Sequence, residues 1–177
     1  MKKYFVLIFL FVLFFSKVFS QQLNKEEKKL YDLIMDYRKS KGLSKIPLSK
    51  SLTYVAQTHV NDLMLNRPDQ GKCNLHSWSN KGKWSPCCYT DDHAKAECIW
   101  SKPRELTNYQ GNGYEISSWY SDIISAEKAL KIWKSSSGHN ALIINNSIWK
   151  RHHWRAIGIG IKGNYAVVWF GKESDVN

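Results

Sequence analysis

Apolar residues recur at helical spacing over residues 23–41, where Leu30, Leu33, Ile34 and Tyr37 share one face and Lys and Glu fill the other. Gly42 follows where a left-handed residue commonly ends a helix, so the spacing predicts a first helix there. Pro47-Leu48-Ser49 restarts the chain, with Ser49 placed to cap a second helix reaching about Asn66. Leu52, Val55, Ala56, His59, Val60 and Leu63 line its apolar side, and Arg67-Pro68-Asp69 ends it. On that face His59 reads as a buried, hydrogen-bonded core histidine. A third helix is expected over residues 125–135, capped by Ser125, with Ala126, Ala129, Leu130 and Trp133 turned inward. Two β-rich runs then follow, residues 156–161 and 165–170, and the turn at Gly163-Asn164 between them reads as a hairpin. Helices first and a hairpin last predict an α+β fold with helices packed on an antiparallel sheet.

Residues 71–113 change this picture. Gly, Ser, Asn, Asp and Cys dominate, with Trp78, Trp84, Tyr89, Trp100 and Tyr109 interspersed. A loop this long is usually functional or held by cross-links. Cys73, Cys87, Cys88 and Cys98 supply the means, and two disulfides are expected. A bond between the adjacent Cys87 and Cys88 would strain the ring, which leaves 73–87 with 88–98 or 73–88 with 87–98. The rival use of these cysteines, a zinc site completed by His76 and His93, lacks a regular CxxC pair. The aromatics either roof a small core or face a ligand.

The N-terminus bears on compartment. Lys2 and Lys3 precede an almost wholly apolar run over residues 4–15, and Val18 and Ser20 stand at the −3 and −1 positions before Gln21. The run falls short of the ~20 residues of a spanning helix, so a cleaved leader over 1–20 and a single domain over 21–177 are expected. That domain would bury about 70% of its unfolded surface. The expected product is exported, secreted to the extracellular space or the periplasm, monomeric, and without a transmembrane segment after cleavage. Lys and Arg number 26 against 15 Asp and Glu, a formal charge of +11. Such an excess keeps a surface solvated and also attracts an anionic cell surface or polysaccharide. Nucleic acid is not an expected partner in an exported compartment. The one dense basic patch is Lys150-Arg-His-His-Trp-Arg155, equally readable as an exposed turn.

Candidate chemistry lies in three places: Cys73-Asn-Leu-His76-Ser-Trp78, Gly113-Tyr-Glu115-Ile-Ser, and the segment from Ser125-Ala-Glu127 to Ser137-Gly-His139. Two of the four groups sit in loop-like, aromatic-rich settings. With the second helix Ala56-Gln-Thr-His-Val-Asn-Asp-Leu-Met64 and the paired terminal strands, their order resembles the CAP superfamily: cysteine-rich secretory proteins, antigen 5 and pathogenesis-related class-one proteins, which share the SCP domain. The resemblance covers roughly residues 24–172. It implies a three-layer α-β-α sandwich with a surface cleft, and a cleft tetrad of His76, Glu115, Glu127 and His139. It also suggests lipid, sterol or glycan as ligand.

Several features depart from the family pattern. Gly113-Tyr114-Glu115 stands where Gly-Glu-Asn is common, and Gly138-His139-Asn-Ala-Leu-Ile is nearer the short microbial form than the animal His-[Phe/Tyr]-Thr-Gln signature. The cysteine-rich C-terminal extension of animal members is missing, so toxin-like channel activity has no support. Taken as chemistry alone, His76 and His139 are candidate ligands for zinc or another divalent metal, with Glu115 and Glu127 completing the shell or orienting the rings. Two imidazoles make an open, weak site. The same four groups could serve a metal-dependent, protease-like hydrolase, although no Ser or Cys stands in a nucleophile motif and Ser136 and Ser137 read as helix-ending residues. A buried polar network without a ligand, or an effector acting through its basic surface, are the other readings. An exported ligand-binding module is the leading expectation.

Overall fold

The computed structural model describes residues 22–175; the expected leader lies outside the described residues. Six helices, a 3-10 turn and three strands occur among them. Helix α1 (Lys25–Ser40) opens with a capping box in which the Asn24 side chain accepts from Glu27 N–H and the Glu27 carboxylate accepts from Asn24 N–H. It closes with Gly42 at φ +74°, as the glycine position predicts. Helix α2 (Lys50–Asn66) is capped by Ser49, whose hydroxyl accepts from Leu52 N–H, and Arg67 adopts the left-handed conformation just before Pro68. Both expected helices are therefore present within a residue or two of the predicted bounds.

Two short helices, α3 (Ala96–Trp100) and α4 (Lys102–Leu106), interrupt the Cys-rich segment. Strand β1 (Gly113–Trp119) follows, then α5 (Ala126–Ser135), α6 (Ser137–Ile143), a 3-10 turn (Ser147–Trp149), and strands β2 (Ala156–Lys162) and β3 (Tyr165–Gly171). The sheet is antiparallel throughout, in the order β1-β3-β2. Lys162 pairs with Tyr165 across the expected hairpin turn, where Gly163 sits at φ +54°. The β1 segment, expected as loop, is instead an edge strand.

Alternation along β3 divides the core in two. Ala166, Val168 and Phe170 join a cluster with Leu30 and Ile34 of α1, Leu130 and Trp133 of α5 and Ile143 of α6. Tyr165, Val167 and Trp169 face α2 and the Cys-rich segment through Leu52, Val55, Ala56 and Trp78. Helices thus cover both faces of the sheet, the three-layer α-β-α sandwich expected. Helix α2 lies very close to β2: a methyl added at Gly158 would overlap the Leu52 backbone, and one at Gly160 the Ala56 carbonyl. Only glycine permits that approach.

The Cys-rich segment is tied down by disulfides Cys73–Cys88 and Cys87–Cys98, the second of the two connectivities left open by the sequence. No described cysteine is free. Backbone bonds join Trp78 to Cys87. Trp78 stacks on His59 at 4.2 Å, and the buried Lys102 ammonium donates to Ser85 O at 2.6 Å and to Glu105 at 2.5 Å. Among the described residues no helix is long and apolar enough to cross a membrane.

A candidate ligand cleft

Because β1 is an edge strand, one of its margins is open, and a cavity of about 540 Å³ forms beside it. Tyr114, Glu115 and Ile116 supply the wall on the sheet. His76 enters from the segment over the α2 face, held in place by its backbone N–H to Asn74 Oδ1. His139 enters from the opposite face on the first turn of α6. The remaining surface is mainly apolar and aromatic, with Tyr89, Ile99 and Trp100 on one bank and Leu142, Ile148 and Trp149 on the other. A mostly apolar concavity with a few convergent polar groups is the usual form of a small-molecule site.

Glu115 is the pivot of the polar end. Its side chain is 1% exposed; Oε2 lies 2.7 Å from His59 Nδ1 and Oε1 lies 2.7 Å from His76 Nδ1. His59 Nε2 lies 3.0 Å from the Ser77 carbonyl. A carbonyl and an ionised carboxylate can only accept, so both His59 nitrogens carry protons and the ring is an imidazolium. Burial works against the charged form of each partner. For Glu115 it is outweighed by the His59 charge and by hydrogen bonds from His59 and His76, which hold the carboxyl down to about 2. For His59 it is outweighed by the Glu115 charge and hydrogen bond, which raise it above the ordinary imidazole range. The expected core histidine is thus buried and satisfied, and it is also the counter-ion of the cleft carboxylate. Sequence reasoning placed His59 in the core but not at the site: the nearest acid on α2, Asp62, accepts from Ser79 instead, and no local pattern points to Glu115.

With Nδ1–H of His76 committed to Glu115, Nε2 is the ring's remaining nitrogen, and the ring lines the cavity. His139 differs. Its Nδ1 is buried without a hydrogen-bond partner, and burial, then the neighbouring His76, lower its proton affinity. Tyr89 adds a hydroxyl 2.9 Å from His93 Nδ1 at the far bank.

Of the four expected tetrad members, the cavity brings together His76, Glu115 and His139. Glu127 stands apart. It occupies the first turn of α5, half-exposed, and forms an ion pair with Lys29 of α1. The reason is helical phase: α5 turns Ala126, Ala129, Leu130 and Trp133 inward, which directs position 127 to the side facing α1. Metal-ligand capacity is correspondingly small. Among the described residues no group of three or more His, Cys, Asp or Glu is arranged to hold a metal ion. His76 and His139 supply two imidazoles, one fewer than the protein ligands of a catalytic zinc, and Glu115 is already engaged by two rings.

The fold, with helices on both faces of a three-stranded antiparallel sheet, defines a class that the comparisons bear out. The model of the CAP family, described as the cysteine-rich secretory protein family, matches residues 31–166, and the chain belongs to that family. A comparison with curated proteins gives no match. Among solved structures, an outer surface protein of Borrelia burgdorferi is similar at 20% identity and TM-score 0.56, over 86% of this chain and 97% of that one. An extracellular SCP-domain protein of Bacillus anthracis aligns at 17% identity and TM-score 0.57 over 84% of this chain. A cysteine-rich secretory protein of Staphylococcus aureus aligns at 13% identity and TM-score 0.53, also over 84%. This chain spans 40% and 39% of the length of the last two. At these identities the likeness is one of fold.

Proposed function

We propose that the protein is an exported binding module whose cavity takes an amphipathic ligand with an uncharged polar head, a hydroxyl-headed lipid such as a long-chain alcohol or a sterol. The observation that carries this reading is the convergence of His76 and His139 at one end of a mainly apolar and aromatic cavity. A ligand hydroxyl at that end would bond an imidazole nitrogen while the apolar body leaves water, which gains about 25 cal/mol per Å² of apolar surface buried. The head is uncharged because Glu115 already has its counter-ion in His59, so a second anion would face an ionised carboxylate. The aromatic banks exclude water from the apolar body and give a glycan fewer polar partners than it needs. Export is supported by the two disulfides, which persist in oxidising compartments.

A divalent cation such as zinc would meet only His76 and His139 and is read as a weak, exchangeable guest. Metal-dependent hydrolysis would need a further donor and a held water, and a fixed ion pair on Glu115 leaves it poorly placed as a base. The test is titration with a fluorescent sterol and its displacement by dodecanol. His139→Ala and Trp149→Ala should each weaken binding about tenfold, the equivalent of 1.4 kcal/mol. Unchanged affinity in both variants contradicts the reading. Zinc-dependent ester turnover lost in Glu115→Gln would favour the hydrolase instead.

A further inference from the structure

A second concavity, about 630 Å³, lies where the chain enters β2 and leaves β3. Its cationic side chains are Arg151 and Arg155 from the loop before β2 and Lys172 just after β3. All three are exposed. None takes part in an ion pair among the described residues. The only carboxylate on the lining, Glu173, packs against Gly111.

The loop that carries the arginines is fixed. Arg155 N–H donates to Gly171 O at 2.8 Å, Asn145 Nδ2 donates to His152 O at 2.7 Å, and Trp154 Nε1 donates to Leu142 O at 3.0 Å. Unpaired cations on a braced frame keep their spacing before a ligand arrives, which lowers the ordering cost of binding. Guanidinium groups also match planar and tetrahedral oxoanions through paired hydrogen bonds. Beside them the rings of Tyr114, Trp149 and His152 lie edge to face, with centroids 5.1–5.9 Å apart, and Lys172 Nζ sits 5.4 Å above Tyr114.

From this arrangement we infer that the groove is a second binding site, separate from the cavity, for an acidic polysaccharide bearing sulfate, phosphate or carboxylate groups. The cations take the anionic groups, and of the three rings His152 lies on the groove lining beside them. A water-borne polymer fits better than a membrane, since the groove lining contains no aliphatic side chain to enter a bilayer.

Dextran sulfate is the probe, with binding followed against salt concentration. The triple variant Arg151→Ala, Arg155→Ala, Lys172→Ala should bind about tenfold more weakly or worse, with a shallower dependence of log affinity on log salt, because fewer counter-ions are released. These side chains are exposed and unpaired, so their loss leaves the fold in place. A control that removes equal charge elsewhere, Lys25→Gln, Lys39→Gln, Lys50→Gln, should lose less than about threefold. Equal losses in the two triple variants would reduce the effect to net charge and overturn the site. Binding to phosphatidylglycerol vesicles without binding to dextran sulfate would overturn the polysaccharide assignment.

Discussion

His59 Nδ1 and Glu115 Oε2 meet at 2.7 Å with side chains 0% and 1% exposed, joining the middle of helix α2 to edge strand β1 through an ion pair that solvent does not reach. The pair fixes the tautomer of His76, since the other carboxylate oxygen accepts from His76 Nδ1. What the cavity presents to a ligand is therefore set by a histidine outside it.

Removing one partner of such a pair leaves the other charge buried alone. Glu115→Gln is expected to destabilise the fold by about 3–5 kcal/mol in urea denaturation. His76→Ala, which removes a ring 21% exposed at the cavity rim, should cost clearly less. Comparable losses would mean that the His59–Glu115 pair is not the structural link described.

The same pair sets a pH window. Glu115 is depressed from an ordinary 4.5 to about 2, so the stability it contributes is complete above 4.5 and lost as pH falls towards 2. His59 is raised from 6.5, so its contribution is complete below 6.5 and lost as pH rises through its folded value. Thermal unfolding should therefore show highest stability between these limits. Glu115→Gln should flatten the acid limb, and an unchanged acid limb in that variant would assign it to other carboxylates.

Close packing of α2 on β2 gives a steric prediction. Gly158→Ala and Gly160→Ala each force a methyl into helix backbone, which cannot move aside as a side chain would. Each should destabilise by about 1–3 kcal/mol or more, read as a fall in denaturation midpoint. Gly138→Ala, with open space around its Cα, should be tolerated.

Peptide mapping of unreduced protein should recover Cys73 linked to Cys88 and Cys87 linked to Cys98. Reduction removes about 3 kcal/mol of constraint per loop of this size from a segment that carries Tyr89, Ile99 and Trp100 to the cavity. Ligand binding should be lost while the helical signal of α1, α2 and α5 persists. Full binding by the reduced protein would show that this bank is dispensable.

Legibility from sequence followed periodicity. Helices α1, α2 and α5 and the β2–β3 hairpin each show one apolar face with recognisable caps or turn residues, and all were readable. Strand β1 was not, because Tyr114 and Ile116 are buried on one side while Glu115 is buried on the other, which erases the alternation of an edge strand. Helix α6 was hidden by Ser135-Ser136-Ser137-Gly138, where the chain only changes direction between two helices. His76, Glu115 and His139 were found as a group through resemblance. The same resemblance groups Glu127 with them, and helical phase turns it towards Lys29. The role of His59 depends on a contact across 56 residues that no local pattern announces.

The most direct test of the cavity account is a crystal structure of the protein with dodecanol. The account predicts the hydroxyl at the histidine end, within hydrogen-bonding distance of the His76 or His139 ring, with the alkyl chain along Ile99, Trp100, Ile148 and Trp149. A chain bound outside the cavity, or lying in it with its hydroxyl turned away from both histidines, would contradict it.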